Sequence, residues 1–361
     1  MKIPAISVVI PMYNAEKYIE QCLESILNQT FDDYEVIIVD DCSTDNSIKK
    51  VENMMPKFNE RLKIIKCKKN SGGAAIPRNI GMKIARGKYI LPLDNDDLIL
   101  NNALEILYNT AEETAADVLH MEKWLEPFDD SEEINQNTKF KINTFEEGGF
   151  VKKVTVETED LAERMNLYCK KRFSWHVWNK LFRRDFIMEN NLEFPNVKVI
   201  DDMIFSFYCL CLAKKYVRIP NVLNIYRVRK NSFLHKPLSM QDSFRQYVKN
   251  IINASTLMGN FMKEIKFFSE QSQFIHMVIN FVIKINIEWG AIYYTKLPFQ
   301  ISDLILREEL PPDFEDVKDL NIYSFAAMNH YYLTNLQLQN QINRLQQQIL
   351  SLQNKKKKFG K

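Results

Sequence analysis

Short apolar runs alternate with helix-compatible segments through the first hundred residues, and two of those runs end in aspartate clusters. Residues 6–10, Ile-Ser-Val-Val-Ile, form the continuous β-branched run expected of a strand buried on both faces. Residues 35–39, 62–65 and 89–93 repeat that character. Between them, Tyr18, Ile19, Cys22, Leu23, Ile26 and Leu27 recur at helical spacing. A second helix is expected to run to about Met55 and a third over 74–86. Asn14 is placed to cap the first helix and Ser43-Thr44-Asp45 the second. Gly87 falls just past the third, where a left-handed residue is wanted. The alternation predicts an α/β fold on a parallel, doubly wound sheet. Ligands of such sheets bind beyond the carboxyl ends of the strands. Asp40-Asp41 and Asp94-Asn95-Asp96-Asp97 fall at two of those ends.

The rest of the chain is less regular. Residues 126–149 are acidic and polar and read as an insertion or mobile loop. Residues 160–235 carry aromatics and a second acidic pair, and 238–320 look mainly helical. Leu338, Ile342, Leu345, Ile349 and Leu352 then follow heptad spacing, with Ile at one core position and Leu at the other, a combination that favours parallel dimers. A run of lysines, 355–358, suits contact with anionic lipid or a solvated end.

With Lys+Arg 48 against Asp+Glu 46, nothing in the charge balance suggests a nucleic-acid partner. The six cysteines are scattered without a zinc-site spacing, which fits free thiols in a reducing compartment. No uninterrupted apolar stretch is long enough for a transmembrane helix, since residues 274–287 are broken by His276, Asn280, Lys284 and Asn286. No signal peptide is visible, so a cytoplasmic protein, peripheral at the membrane's inner face, is expected.

Several residue groups carry possible chemistry. Carboxylates on a strand-end loop such as 94–97 offer hard oxygen ligands for Mg²⁺ or Mn²⁺. That ion would neutralise charge on a diphosphate leaving group. Asp41 can accept from a uracil N–H or a ribose hydroxyl, whereas Asp40 and Asp45 also suit local capping. Arg78, after the Gly72-Gly73 loop, offers a cation to a diphosphate or sits at the surface. In Asp201-Asp202, repulsion raises the pKa of one partner, as a general base needs. The same pair would also suit a helix start. Trp175, His176 and Trp178 fit either a sugar-binding floor or the core, and His235 a phosphate contact or a structural role.

In this order the motifs resemble glycosyltransferase family two, the large inverting GT-A family. The resemblance rests on residues 7–14 (Ser-Val-Val-Ile-Pro-Met-Tyr-Asn), 25–30, 39–45, Pro77-Arg78-Asn79-Ile80-Gly81 and Leu93-Asp94-Asn95-Asp96-Asp97. It continues through Trp178-Asn179-Lys180-Leu181-Phe182 and Asp201-Asp202, covering roughly 5–235. It implies a GT-A (Rossmann-like) fold, a nucleotide-sugar donor, often UDP-linked, and a divalent metal. Pro11, Tyr13, Asn14, Asp40 and Asp41 then fall on the nucleotide side, with Arg78, Asp94, Asn95 and Asp96 toward the phosphates. Asp96 and Asp97 fall on the metal, and Asp202, with Asp201, on the base. Trp175, His176, Trp178 and His235 fall toward the acceptor, a glycan or lipid-linked glycan. The family usually carries Glu-Asp at the base, where this chain has Asp201-Asp202.

The expected organisation is a GT-A domain over 1–235, with a donor half to about 117 and an acceptor half over 118–235. A helical region over 236–330, a coiled-coil oligomerisation helix over 331–354 and a basic tail over 355–361 follow. Two other classes share parts of the pattern. One is a catalytically inactive nucleotide-sugar binder or scaffold. The other is a nucleotidyltransferase, whose usual glycine-rich phosphate loop residues 11–17 do not supply.

Overall fold

The four apolar runs become the parallel part of one sheet. Strands β1 (Ile6–Met12), β2 (Tyr34–Asp40), β3 (Leu62–Lys66) and β4 (Tyr89–Pro92) pair in parallel, with β1 between β2 and β4 and β3 outside β2. Every residue of β1, β2 and β4 is buried, as strands covered on both faces must be. Helices α1 (Ile19–Leu27), α2 (Ser47–Met54) and α3 (Ala75–Ile84) lie between them in the chain. Ile19, Cys22, Leu23 and Ile26 of α1 enter the core beside Val8, Ile10, Val36 and Ile38. The computed structural model describes residues 3–128, 134–144, 150–197, 199–228 and 240–294.

The second half adds β5 (Leu98–Ile99), α4 (Ala103–Thr114), β6 (Val118–Pro127), β7 (Phe140–Thr144), β8 (Thr155–Val156), α5 (Leu161–Cys169), β9 (Lys180–Arg183), α6 (Arg184–Glu189), α7 (Asp201–Leu212) and β10 (Tyr216–Ile225). The sheet order is β3-β2-β1-β4-β9-β6-β10-β5, with β7 on β6 and β8 on β10. Strand β9 runs antiparallel to both β4 and β6, so the expected parallel sheet is in fact mixed. The reversal has a consequence for the site. Tyr89 faces Arg183 and Ile90 faces Phe182, so β9 begins at the end of the sheet where β4 finishes.

Helices α8 (Met240–Lys263), α9 (Lys266–Glu270) and α10 (Gln273–Tyr294) follow. None of the described helices is long and apolar enough to cross a membrane. The chain divides into two units, Met1–Val282 and Ile283–Lys361, and every described contact of the site below lies within the first. His235, the heptad segment and the basic tail lie outside the described residues.

Three local expectations are corrected. Asn14 does not cap α1: that helix starts at Ile19, and the Asn14 side chain instead accepts from the Thr44 amide at 2.8 Å. Residues 126–149 are not loop throughout, because Phe140–Thr144 pairs antiparallel with the end of β6. Gly87 is not left-handed; among the described glycines only Gly72 has positive φ. Its reason is close approach, since a Cβ on Gly87 would lie 2.5 Å from the Ser7 amide nitrogen and 2.7 Å from the Ile6 carbonyl carbon.

Those neighbours are backbone atoms of a central strand and cannot swing aside. Gly87→Ala is therefore expected to cost about 1–3 kcal/mol. The urea midpoint should fall with an unchanged m value; an unmoved midpoint would mean that the loop before β4 lifts freely from β1.

Candidate active site

Arg78 lies in the first turns of α3, after the glycine loop, and is 5% exposed. Its Nη2 donates to Asp94 Oδ1 at 2.7 Å, and its Nη1 to Asp202 Oδ1 at 2.5 Å and Asp201 Oδ2 at 3.3 Å. The carboxylates come from two places. Asp94 follows the end of β4, while Asp201 and Asp202 open α7, where the helix dipole favours negative charge. Ile200, just ahead of them, is held at φ 70°, a costly conformation for a β-branched residue and one that collects at functional sites.

One guanidinium faces three carboxylates, so acidic groups outnumber the cation in this cluster. Burial alone would lower the Arg78 pKa, but Asp202, Asp94 and Asp201 outweigh it and push it up. Burial and then repulsion from Asp202 raise Asp201, with Arg78 opposing. Burial also raises Asp202, opposed by Arg78, by the Val177 amide and by Lys180. A carboxylate pair held above its ordinary range is suited to taking up a proton near neutrality.

The acidic turn after β4 is fixed at several points. The Asp97 amide donates to Asp94 O at 3.1 Å, and Asn95 Nδ2 to Pro11 O at 2.8 Å. Asp97 is 1% exposed, and its Oδ1 accepts the Arg227 amide at 2.9 Å. Arg227 Nε reaches Asp96 O at 2.7 Å and Nη2 reaches Gln21 Oε1 at 2.7 Å. Beside them the Tyr226 hydroxyl is pushed upward, first by burial and then by Asp97, Asp96 and Asp94.

Tyr13 is 47% exposed and follows the buried residues Pro11 and Met12 at the end of β1. The Asp41 carboxylate accepts from the Ser71 amide and hydroxyl at 2.9 Å, which ties the end of β2 to the glycine loop. Asp40 turns back to the Ser43 amide at 3.2 Å. Asp45 accepts from the Ser47 amide at 2.9 Å.

The aromatic residues form a stack. Trp178 lies 5.3 Å from Tyr226 and 4.9 Å from His176, nearly parallel to both, with Trp124 edge-on to Trp178. Trp175 and Trp178 are buried. Burial, and next Lys180, push His176 down to about 3, so its imidazole is neutral at physiological pH. The Val177 amide, between the two tryptophans in sequence, donates to Asp202 Oδ2 at 3.4 Å. The aromatic segment therefore touches the acidic cluster directly.

The structure thus brings together Arg78, Asp94, Asp201 and Asp202, joins Pro11 to Asn95, and sets the Trp-His-Trp segment against Asp202. Sequence reasoning assigned no individual role to Arg227, Ser71 or Lys180, although Lys180 lies in the 178–182 segment that carries the family resemblance. Arg227 follows a tyrosine at the end of β10, and that position at a strand's carboxyl end was the available signal. A divalent cation suits this donor chemistry. Carboxylate oxygens are its preferred ligands, and Mg²⁺ or Mn²⁺ commonly takes one or two of them, the rest coming from substrate phosphate and water. Among the described residues no three carboxylate, histidine or cysteine side chains are gathered to hold a metal ion, so an ion on Asp96 and Asp97 would take most of its ligands from substrate phosphate and water.

Residues 7–185 match the profile of Glycosyl transferase family 2. The chain is 32% identical over 233 residues to glycosyltransferase GlyG of Streptococcus pneumoniae, covering 63% of this chain and 72% of that one. It is 35% identical over 216 residues to the poly(ribitol-phosphate) beta-glucosyltransferase of Bacillus spizizenii, covering 58% of this chain but only 30% of that protein's length. Among solved structures, Staphylococcus aureus TarS 1–349 in complex with UDP-GlcNAc superposes with a TM-score of 0.63 at 23% identity, over 81% of this chain and 76% of that one. That likeness establishes a shared GT-A fold.

Replacing Arg78 by Met leaves buried carboxylates without their cation, a change of about 3–5 kcal/mol. The sign of its pH dependence follows from the raised Asp201 and Asp202. A carboxyl whose folded pKa exceeds its unfolded value of about 4 stabilises below that value. It loses this contribution as pH rises through the folded value. Removing Arg78 raises both groups further, so the deficit in urea denaturation should be larger at pH 8 than at pH 5. An equal deficit at both would show that the three carboxylates do not share Arg78.

Proposed function

The chain belongs to glycosyl transferase family 2, and we propose that it transfers a sugar from a UDP-linked donor to an acceptor hydroxyl on a growing surface glycan, with inversion. The observation that supports this reading is the Arg78 bridge, which joins the Asp202 carboxylate to Asp94 of the acidic turn after β4.

The reaction is a single displacement. Asp202 accepts the proton of the acceptor hydroxyl, whose oxygen bonds to the anomeric carbon while the bond from that carbon to the diphosphate oxygen breaks. Attack opposite the leaving group inverts the configuration. Arg78 on Oδ1 and the Val177 amide on Oδ2 aim the base and favour its ionised form. Uracil would stack on Tyr13, with Asp41 at the base or ribose. Asp96 and Asp97 would hold a divalent cation, which supplies charge neutralisation at the leaving diphosphate. Arg227 fixes that turn through Asp97 Oδ1 and Asp96 O.

The stack of His176, Trp178 and Tyr226 supports a floor for the acceptor. The name of the Bacillus spizizenii relative puts poly(ribitol-phosphate) among the acceptors to screen. Self-association through 331–354, contact of 355–361 with the inner membrane surface and a cytoplasmic location complete the proposal.

Asp202→Asn keeps shape and hydrogen bonding but removes the base. It should bind UDP with Mn²⁺ about as tightly as the parent, by calorimetry. Release of UDP during transfer should fall by roughly 10²–10⁴-fold. Near-normal turnover would refute the assignment, and loss of UDP binding would show that the substitution damages the donor site instead.

A further inference from the structure

Lys180 opens β9 and is wholly enclosed, at 0% exposure. Its Nζ donates to Ser174 O at 2.8 Å, His176 O at 2.5 Å and Asn179 Oδ1 at 3.0 Å. Three acceptors use all three N–H bonds of an ammonium, and only the protonated form has three. All three lie on residues 174–179, and all are neutral oxygens. Burying a cation without a contacting carboxylate is expensive, and an aliphatic side chain would fill a central strand at lower cost. The compensation must lie in what the lysine holds.

It holds the segment that reaches the base. The Val177 amide of this loop donates to Asp202 Oδ2. The Trp175 carbonyl accepts from Ser206 Oγ of α7 at 2.8 Å, and Asn179 Nδ2 ties the loop to Met121 O of β6 at 3.1 Å. Because β9 runs antiparallel to β4, its first residue sits at the same end of the sheet as Asp94. We infer that Lys180 is a positioning residue for Asp202: it fixes loop 174–179 so that the Val177 amide meets Oδ2. The inference deepens the reading of Asp202 as the base and rests on it.

Among the described residues, the charged groups around this contact are few. Asp202 is faced by Arg78 from α3, Asp94 from the turn after β4, Asp201 on its own helix and Lys180 from β9. Lys180 is faced by Asp202 and Cys209 of α7, by His176 in its loop and by His120 of β6. Burial pushes Lys180 down to about 7, with Asp202 opposing. Burial, then Lys180, pushes both histidines well below their ordinary value, so neither carries competing charge.

The test is a carboxyl ¹³C NMR titration of aspartate-labelled full-length protein, with Asp202 assigned from the missing signal in Asp202→Asn. In Lys180→Met the titration of the Asp201–Asp202 pair should move upward by about half a pH unit or more. UDP affinity should stay within about twofold, because the described hydrogen bonds of Lys180 all go to residues 174–179. A titration that superimposes on the parent's overturns the inference. Should Lys180→Met fail to fold, Lys180→Gln, which keeps a donor without the charge, is read in the same way. If neither folds, Lys180 is a structural residue only and the inference is wrong. The titration needs no turnover, so its outcome is separate from whether Asp202→Asn is inactive.

Discussion

The site depends on one enclosed guanidinium. Arg78 draws Asp94, Asp201 and Asp202 to within hydrogen-bonding distance, although they come from a strand end and a helix start more than a hundred residues apart. Pairing with carboxylates offsets the cost of burying this guanidinium, and that pairing holds the three elements carrying these groups together. The pairing is also unbalanced, with more carboxylate than cation. Burial first, and then the crowding of carboxylates, raises the Asp201–Asp202 pair toward a basic role. In the proposed reaction the cation serves two masters. It steadies the base and lies near where a diphosphate would add further negative charge, so donor binding and base ionisation are electrostatically linked through one side chain.

The sheet makes this convergence possible. Pro11 lies in the last residues of β1, and Asp41, Asp94 and Arg227 follow the carboxyl ends of β2, β4 and β10, four strands that run in the same direction. The antiparallel β9 adds the opposite polarity, so its beginning lies at that same end. Lys180 and the loop before it can therefore meet the beginning of α7. A strictly parallel sheet would have put that loop at the far edge. Gly87, packed against the backbone of β1, belongs to the same arrangement, because it lets the chain enter β4 tightly alongside β1.

Much of this was legible in the sequence. The β-branched runs marked β1 and β2 within a residue or two, because a strand buried on both faces has little compositional freedom. Asp94–Asp97 and Asp201-Asp202 were visible because charge next to apolar runs is conspicuous. What could not be read was partnership. Arg78 alone suits a surface as well as a core, and only the fold brings it to Asp202. Strand β9 is four residues long, and nothing in Lys-Leu-Phe-Arg specifies its direction. Asn14 and Gly87 were misread because capping and left-handed turns are local rules. Here Asn14 is taken by Thr44 of another loop and Gly87 by the backbone of β1, both tertiary contacts.

The most direct measurement is a crystal structure of the chain with UDP-GlcNAc and Mn²⁺. The account predicts the diphosphate between Arg78 and the 94–97 turn, Mn²⁺ on that turn, and the anomeric carbon facing the Asp202 carboxylate with room for one hydroxyl between them. A nucleotide bound away from this end of the sheet, or Asp202 turned from the sugar with Arg78 still closed on it, would contradict it.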